Sequence, residues 1–353
     1  MEGVGPRVAL GTVVLVLCAM AVGACGESTN LVAVKTVVTD DPASAFAPLI
    51  RLHPDETAFP IDADRFVESS SLKWAGSACV GRANVATGRI AKRKTPGRVP
   101  HVNLARLGGK PRPYVFESLD DNCRRRQRRY RSTEVTRPYD SHPRPPGLPR
   151  DEGFYLDLLT DSFDGDPPLR SSGGTRVLGD VPAYYELARR RRGGGTEMRI
   201  GYWLLFASER AVDAQGREVV SHEGDWQRAE VLLSQRGGRR WRPLSIALVG
   251  EGAARRVPWT DLERSGSHPV LYSARERHAL YPEPGRVARR VPAGGRVATT
   301  FDETATCEDC LYWPTWRQLR PLRQERWYGF GGGWGLSYEA NSSSGPLGPV
   351  PAG

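Results

Sequence analysis

The stretch Met198–Ala207 reads MRIGYWLLFA, ten residues dominated by aromatic and aliphatic side chains. It is too short for a typical amphipathic helix and rich in strand formers. Gly193-Gly194-Gly195 separates it from a second such segment, Tyr184–Arg190, and the pair predicts a β-hairpin. Downstream, Arg228–Leu233 (RAEVLL) and Trp241–Val249 (WRPLSIALV) flank Gly237-Gly238. Those glycines supply the positive φ that tight hairpin turns demand. Tyr114–Leu119 and His268–Ala274 read as further short strands, and Arg65–Leu72 as a short helix. Thr315–Arg326 has helical character that Pro321 interrupts or kinks. Residues 81–150 show little periodicity apart from Tyr114–Leu119, with prolines at Pro111, Pro113 and Pro143 to Pro149. Closely spaced strands with turn residues between them predict a mainly β protein. The expected form is an antiparallel β-sandwich-like domain with long loops and few short helices. No internal repeat and no glycine fingerprint for a nucleotide are present.

The N-terminus organises the rest. Arg7 precedes an uncharged run from Val8 to Gly23 that is shorter than the ~20 apolar residues of a membrane span. Val22-Gly23-Ala24-Cys25 then resembles the bacterial lipobox, in which Cys25 is lipidated and becomes the new N-terminus. Two alternatives stand beside it: ordinary signal cleavage after Ala24, and an uncleaved membrane anchor. The expected organisation is a signal over 1–24, a tether over 25–44 and one β-rich domain over 45–353. The domain is expected outside the cytoplasm, on a lipid-anchored or a secreted protein.

The chain has 353 residues and a formal net charge of +10, with fifty basic residues of which five are lysine. That imbalance fits a codon bias toward arginine as readily as a nucleic-acid interface, and an exported protein meets anionic lipids and polymers first. The runs at Arg124 to Arg129 and Arg189 to Arg192 read as solvated strand ends or loops, with anionic-surface contact as the alternative. Expected partners are therefore the membrane, through the anchor, and an anionic envelope polymer, glycan or lipid; nucleic acid is set aside. Six cysteines occur. With Cys18 in the signal and Cys25 lipidated, Cys79, Cys123, Cys307 and Cys310 remain for disulfides. Cys79–Cys123 is the favoured long closure and Cys307–Cys310 a local one.

The chemically dense segment is Ser221-His222-Glu223-Gly224-Asp225-Trp226-Gln227. In extended backbone, Glu223, Asp225 and Gln227 share one face, and His222, Gly224 and Trp226 the other. A turn at Gly224 breaks that alternation and lets His222 join Asp225. Carboxylates beside an imidazole suit a divalent cation, with Ca²⁺, Mg²⁺ or Mn²⁺ favoured by the oxygen donors. The competing reading is a set of turn and rim residues bonded to backbone. The second histidine of H-E-x-x-H is absent, which excludes that zinc-protease pattern.

Tyr202-Trp203-Leu204-Leu205-Phe206, the His222–Gln227 segment and His268-Pro269-Val270-Leu271-Tyr272 with His278 together resemble the vacuolar protein sorting-associated sixty-two family. Phe46-Ala47-Pro48, His53-Pro54-Asp55-Glu56 and the glycine-rich ending Phe330 to Pro349 extend the resemblance. More remotely, the H-x-x-D-W pattern resembles the heptapeptide of necrosis- and ethylene-inducing-like proteins. That resemblance implies a secreted β-sandwich with a divalent cation and glycolipid recognition. It places His222 and Asp225 at metal-site positions and Asp213 near an upstream acidic ligand. Gln227 stands where an acidic residue belongs, and Gly224 replaces a second histidine. His268 and His278 join the same pocket if their strands align, and Trp226 and Trp334 read as core anchors.

Three functions follow as expectations. The first is a lipid-tethered, non-enzymatic envelope protein that binds a glycan, lipid or anionic polymer, with or without a divalent cation in the His222/Asp225 cleft. The second is a metal-dependent hydrolase of envelope esters or glycans, with Glu223 as general base. The third is a surface scaffold in which the polar cluster fastens loops.

Overall fold

The computed structural model describes residues 41–75, 113–119, 125–131, 153–158, 169–170, 176–178, 181–237, 240–250, 254–293, 296–306, 310–328, 330, 333–335 and 345–349. These lie within the compact unit Lys35–Gly353. The expected signal, Cys25, Cys79, Cys123 and Cys307 fall outside the described residues. Cys310 is buried and disulfide-bonded.

The elements, in chain order, begin with α1 (Pro42–Ala45), β1 (Leu49–Leu52), α2 (Ala63–Glu68), β2 (Ser70–Ala75), β3 (Pro113–Leu119), β4 (Arg125–Arg131) and β5 (Gly153–Leu158). There follow β6 (Leu169–Arg170), β7 (Arg176–Val177), β8 (Ala183–Arg192), β9 (Gly195–Val212), β10 (Glu218–Arg236), β11 (Arg242–Val249) and β12 (Arg255–Pro258). The last are β13 (Arg264–Ser265), β14 (His268–Ser273), β15 (Leu280–Tyr281), β16 (Gly285–Ala293), β17 (Arg296–Thr304), β18 (Leu311–Pro314), β19 (Leu319–Pro321) and β20 (Gly333–Trp334). The protein is mainly β, with two short α-helices among the described residues.

The central sheet has the order β12-β11-β10-β9-β8-β19, and β9 and β10 form its spine. They pair antiparallel over almost their whole length, so the hairpin reaches roughly 60 Å at 3.3–3.4 Å per residue. Strand alternation splits its side chains between two cores. Met198, Ile200, Tyr202, Leu204 and Phe206 of β9, with Ala229, Val231 and Leu233 of β10, face Ile50, Leu52, Leu271, Leu311 and Trp313 of a second, mixed sheet. On the other face, Leu205, Ala207 and Trp226 pack with Phe66 and Val67 of α2, Leu156 of β5, Trp327 and Trp334. A continuous apolar run such as Tyr202–Phe206 is what a strand covered on both faces requires. At the far end of the hairpin, the β16–β17 ribbon closes a small core through Val291, Ala298, Ala211 and Val220.

Three local expectations need correction. Helix α2 stops at Glu68, and the chain enters β2 at Ser70, whose Oγ donates to the Phe66 carbonyl at 2.6 Å. Serines at 69–71 favour a helix end over its continuation. Thr315–Arg326 is not a kinked helix. It forms 3-10 turns at Thr315–Gln318 and Leu322–Gln324 around β19, which runs parallel to β8. Pro314 and Pro321, with no N–H to donate, each start one turn. Within 81–150, β3 and β4 pair antiparallel over seven positions. The Arg124 to Arg129 run is therefore mostly strand rather than loop.

Candidate functional site

Segment 221–227 does not follow a loop but lies inside β10, paired with β9. Gly224 sits at φ +62°, and a Cβ there would lie 2.4 Å from the Trp334 carbonyl oxygen. This kink overrides simple alternation. Glu223 turns toward the α2 layer, where its Oε2 accepts the Leu158 N–H at 2.8 Å. His222 instead aims its Nδ1 at the Glu223 and Gly224 carbonyls, 3.2 and 3.1 Å away. The glycine-rich C-terminal segment is what presses against the kink: Gly335 approaches so closely that a Cβ would overlap the Glu223 carbonyl.

Around Asp225 the contacts are all donors. Gln227 Nε2 lies 2.8 and 2.9 Å from the two carboxylate oxygens, and His278 Nδ1 lies 2.9 Å from Oδ2. The other ring nitrogen of His278 is 3.0 Å from the Ala58 carbonyl and 3.6 Å from Glu56 Oε1. Glu56 in turn accepts the backbone N–H groups of Thr57, Ala58 and Glu276. Phe206 stacks on the His278 ring at 3.9 Å. His278 itself holds φ +54°, a left-handed conformation that costs about 1–3 kcal/mol away from glycine and persists only where surroundings fix it.

A second chain of contacts runs through Arg277, the residue before His278. Its Nη2 is 3.2 Å from Glu209 Oε1, and Glu209 Oε2 is 3.0 Å from His222 Nε2. On its other side Arg277 faces Asp302, which accepts the Tyr281 hydroxyl at 2.6 Å. Burial alone would lower both histidine pKa values. The Glu209 carboxylate instead raises His222 to about 9, and Glu56 with Asp225 raises His278 to about 10. Burial works against ionised Glu56 too, yet His278 and the two backbone donors leave its pKa lowered. At neutral pH this interior therefore carries two imidazolium ions and a guanidinium against its carboxylates. All these groups are buried.

The sequence reading is resolved residue by residue. Asp225, Gln227 and His278 form one chain of contacts, whereas His222 pairs with Glu209 and feels Asp225 only through its charge. His268 joins neither: its Nδ1 lies 2.8 Å from the Ala47 carbonyl and its ring stacks on Trp316. Asp213 lies four positions beyond Glu209 along β9, roughly 13 Å from the His222 pairing at strand rise. Its carboxylate closes its own turn, accepting from the Gln215 and Arg217 N–H groups and the Arg217 side chain. Trp226 and Trp334 are core residues, 8% and 0% exposed.

The lone pairs of Asp225 meet an amide N–H and an imidazolium, and among the described residues no group of three His, Cys, Asp or Glu is placed to hold an ion. Sequence reasoning missed Glu56, Glu209 and Arg277. Glu209 was legible in principle, since hairpin register sets it opposite His222. Glu56 and Arg277 come from distant loops and carry no pattern that announces them.

Fold and site together define a mainly β protein whose buried polar core is paired within the chain. No family model and no curated protein matches the chain, so the resemblance to the vacuolar protein sorting-associated sixty-two family finds no support. Solved structures include a non-toxic HaNLP3 protein, 15% identical with a TM-score of 0.22, covering 44% of this chain and 62% of that one. Another is Necrosis and Ethylene inducing Protein 2 from the causal agent of cocoa's Witches Broom disease, 15% identical with a TM-score of 0.19, covering 40% and 61%. The chain thus spans about three fifths of the length of each. Among the described residues no helix is long and apolar enough to cross a membrane.

Proposed function

We propose that this chain is an exported, envelope-facing protein whose β domain binds an anionic polymer, glycan or lipid without chemical turnover. One observation carries the reading: the buried carboxylates are engaged by the chain's own donors, while several surface arginines have no acidic partner among the described residues. The carboxylates of Glu56, Glu209 and Asp225 meet the chain's own cations and amides, so the His222–Gln227 segment offers no free acid or base to a substrate. Arg190 and Arg192 pair with Glu197, but Arg191, Arg236, Arg240 and Arg242 near the same end of the sheet are exposed and face no carboxylate among the described residues. The lipobox-like Cys25 gives this binding surface its place at the membrane. Under this reading His278 supplies the positive charge that a divalent cation would bring, and ligand recognition needs no metal.

The test is titration of the purified chain with an anionic polymer and with an uncharged glycan of similar length. Binding to the anionic polymer alone, weakening steeply with added salt, is expected. Equal binding of both, or of neither, would overturn the proposal.

A further inference from the structure

The Gly193-Gly194 turn of β8–β9 and the Gly237 turn of β10–β11 lie at the same end of the central sheet. Register brings their arginines together. Arg192 pairs with Gly195, Gly195 with Arg236, and Ser234 with Arg242, across four adjacent strands. Paired residues point to one face of a sheet, as do residues two apart. Arg192, Arg236 and Arg242 therefore share a face. The middle position between Arg192 and Arg236 is Gly195, which has no side chain. A Cβ there would lie 2.7 Å from the Gln235 carbonyl oxygen. That space is taken by the Gln235 carbonyl and the stem of Arg236, so the strands close up between two arginines whose Cα atoms stand two strand spacings, roughly 10 Å, apart.

At this end of the sheet lies a cleft of about 610 Å³, lined by Arg192, Arg236, Arg240 and Arg242 with Ser234 and Glu197. Such a volume lies within the range of ligand sites. Glu197 is engaged by Arg190 at 2.6 Å and Arg192 at 3.5 Å, and this pairing holds its carboxyl below the usual range. Among the described residues, Arg236, Arg240 and Arg242 face no carboxylate, although like charges on neighbouring strands repel. Guanidinium groups present planar forks of donors that match phosphate and carboxylate oxygens in pairs. Among the described residues, Leu244 is the exposed large apolar side chain lining the cleft, and no exposed aromatic lines it to enter a bilayer.

We propose that this cleft is a binding site for a linear, phosphate-bearing polyanion, held by Arg192, Arg236, Arg240 and Arg242. The assignment rests on the binding role above and adds its place and ligand chemistry. The three unpaired arginines are exposed, so replacing them leaves both cores intact.

The experiment measures affinity of the whole chain for long-chain polyphosphate and for phosphatidylglycerol vesicles. It compares the unaltered chain, Arg236→Ser/Arg240→Ser/Arg242→Ser, and a charge control at the opposite end of the long hairpin, Arg286→Ser/Arg290→Ser. Polyphosphate affinity should fall at least about tenfold in the cleft variant with a flatter salt dependence, while the control changes little. If the cleft variant binds polyphosphate as well as the unaltered chain, the cleft assignment fails but the binding role stands. Vesicle binding without polyphosphate binding replaces the polymer with a membrane and overturns the proposal. If the unaltered chain binds neither probe, the proposed function fails as well.

Discussion

Asp225 is best understood by what its removal leaves behind. In Asp225→Asn, a buried imidazolium faces an amide where it had a carboxylate, and breaking a buried pair from one side costs about 3–5 kcal/mol. Equilibrium denaturation should show a loss of that size, and the double variant with His278→Gln should lose less than the sum of the singles. Titration adds an independent check. His222 and His278 have folded pKa values near 9 and 10, above the unfolded value of 6.5. Their stabilisation is complete below about pH 6.5 and disappears as pH rises through the folded values. Unfolding midpoints should therefore fall between pH 7 and 10, and His222→Gln/His278→Gln should flatten that decline. A profile rising over this range in the unaltered chain would show that the histidines are neutral in the fold.

At the scale of elements, the kink in β10 and the strap formed by β20 are one device. Gly224 needs positive φ, and Trp334 lies against it with its carbonyl where any Cβ would project. Gly224→Ala should cost more than the 1–3 kcal/mol of left-handed strain alone, because the strap must also move. Trp334→Ala should cost about 3–5 kcal/mol by emptying the aromatic core it shares with Phe66, Trp226 and Trp327. Proteolysis near the C-terminus should then accelerate in both variants; resistance equal to the unaltered chain would separate the strap from the kink. The sequence made the long hairpin legible through glycines 193–195 and the run at Tyr202–Phe206, since local period and turn chemistry suffice for that. It misled at 315–326, where helical spacing gave way to parallel pairing of β19 with β8, a contact more than a hundred residues away.

For the whole molecule, the division of charge is the organising fact. Strand order brings Glu56, Asp225 and His278 from three separated parts of the chain into one interior, and it sends the Arg-rich turns to the surface. The dense segment at 221–227 was visible from composition alone, and its partners were not, because the loops that carry them share no spacing with it. A hydrolytic reading of Glu223 predicts turnover lost in Glu223→Gln. The fold predicts little change, since a glutamine oxygen can still accept the Leu158 N–H. Differential unfolding of that variant within about 1 kcal/mol of the unaltered chain is expected.

Protein cations and amides, with no metal, hold the buried carboxylates. Metal analysis of the purified chain, combined with unfolding midpoints before and after chelation, should give substoichiometric divalent metal and an unchanged midpoint. A divalent ion bound one per chain, with a midpoint that drops on chelation and no longer responds in Asp225→Asn, would contradict that arrangement.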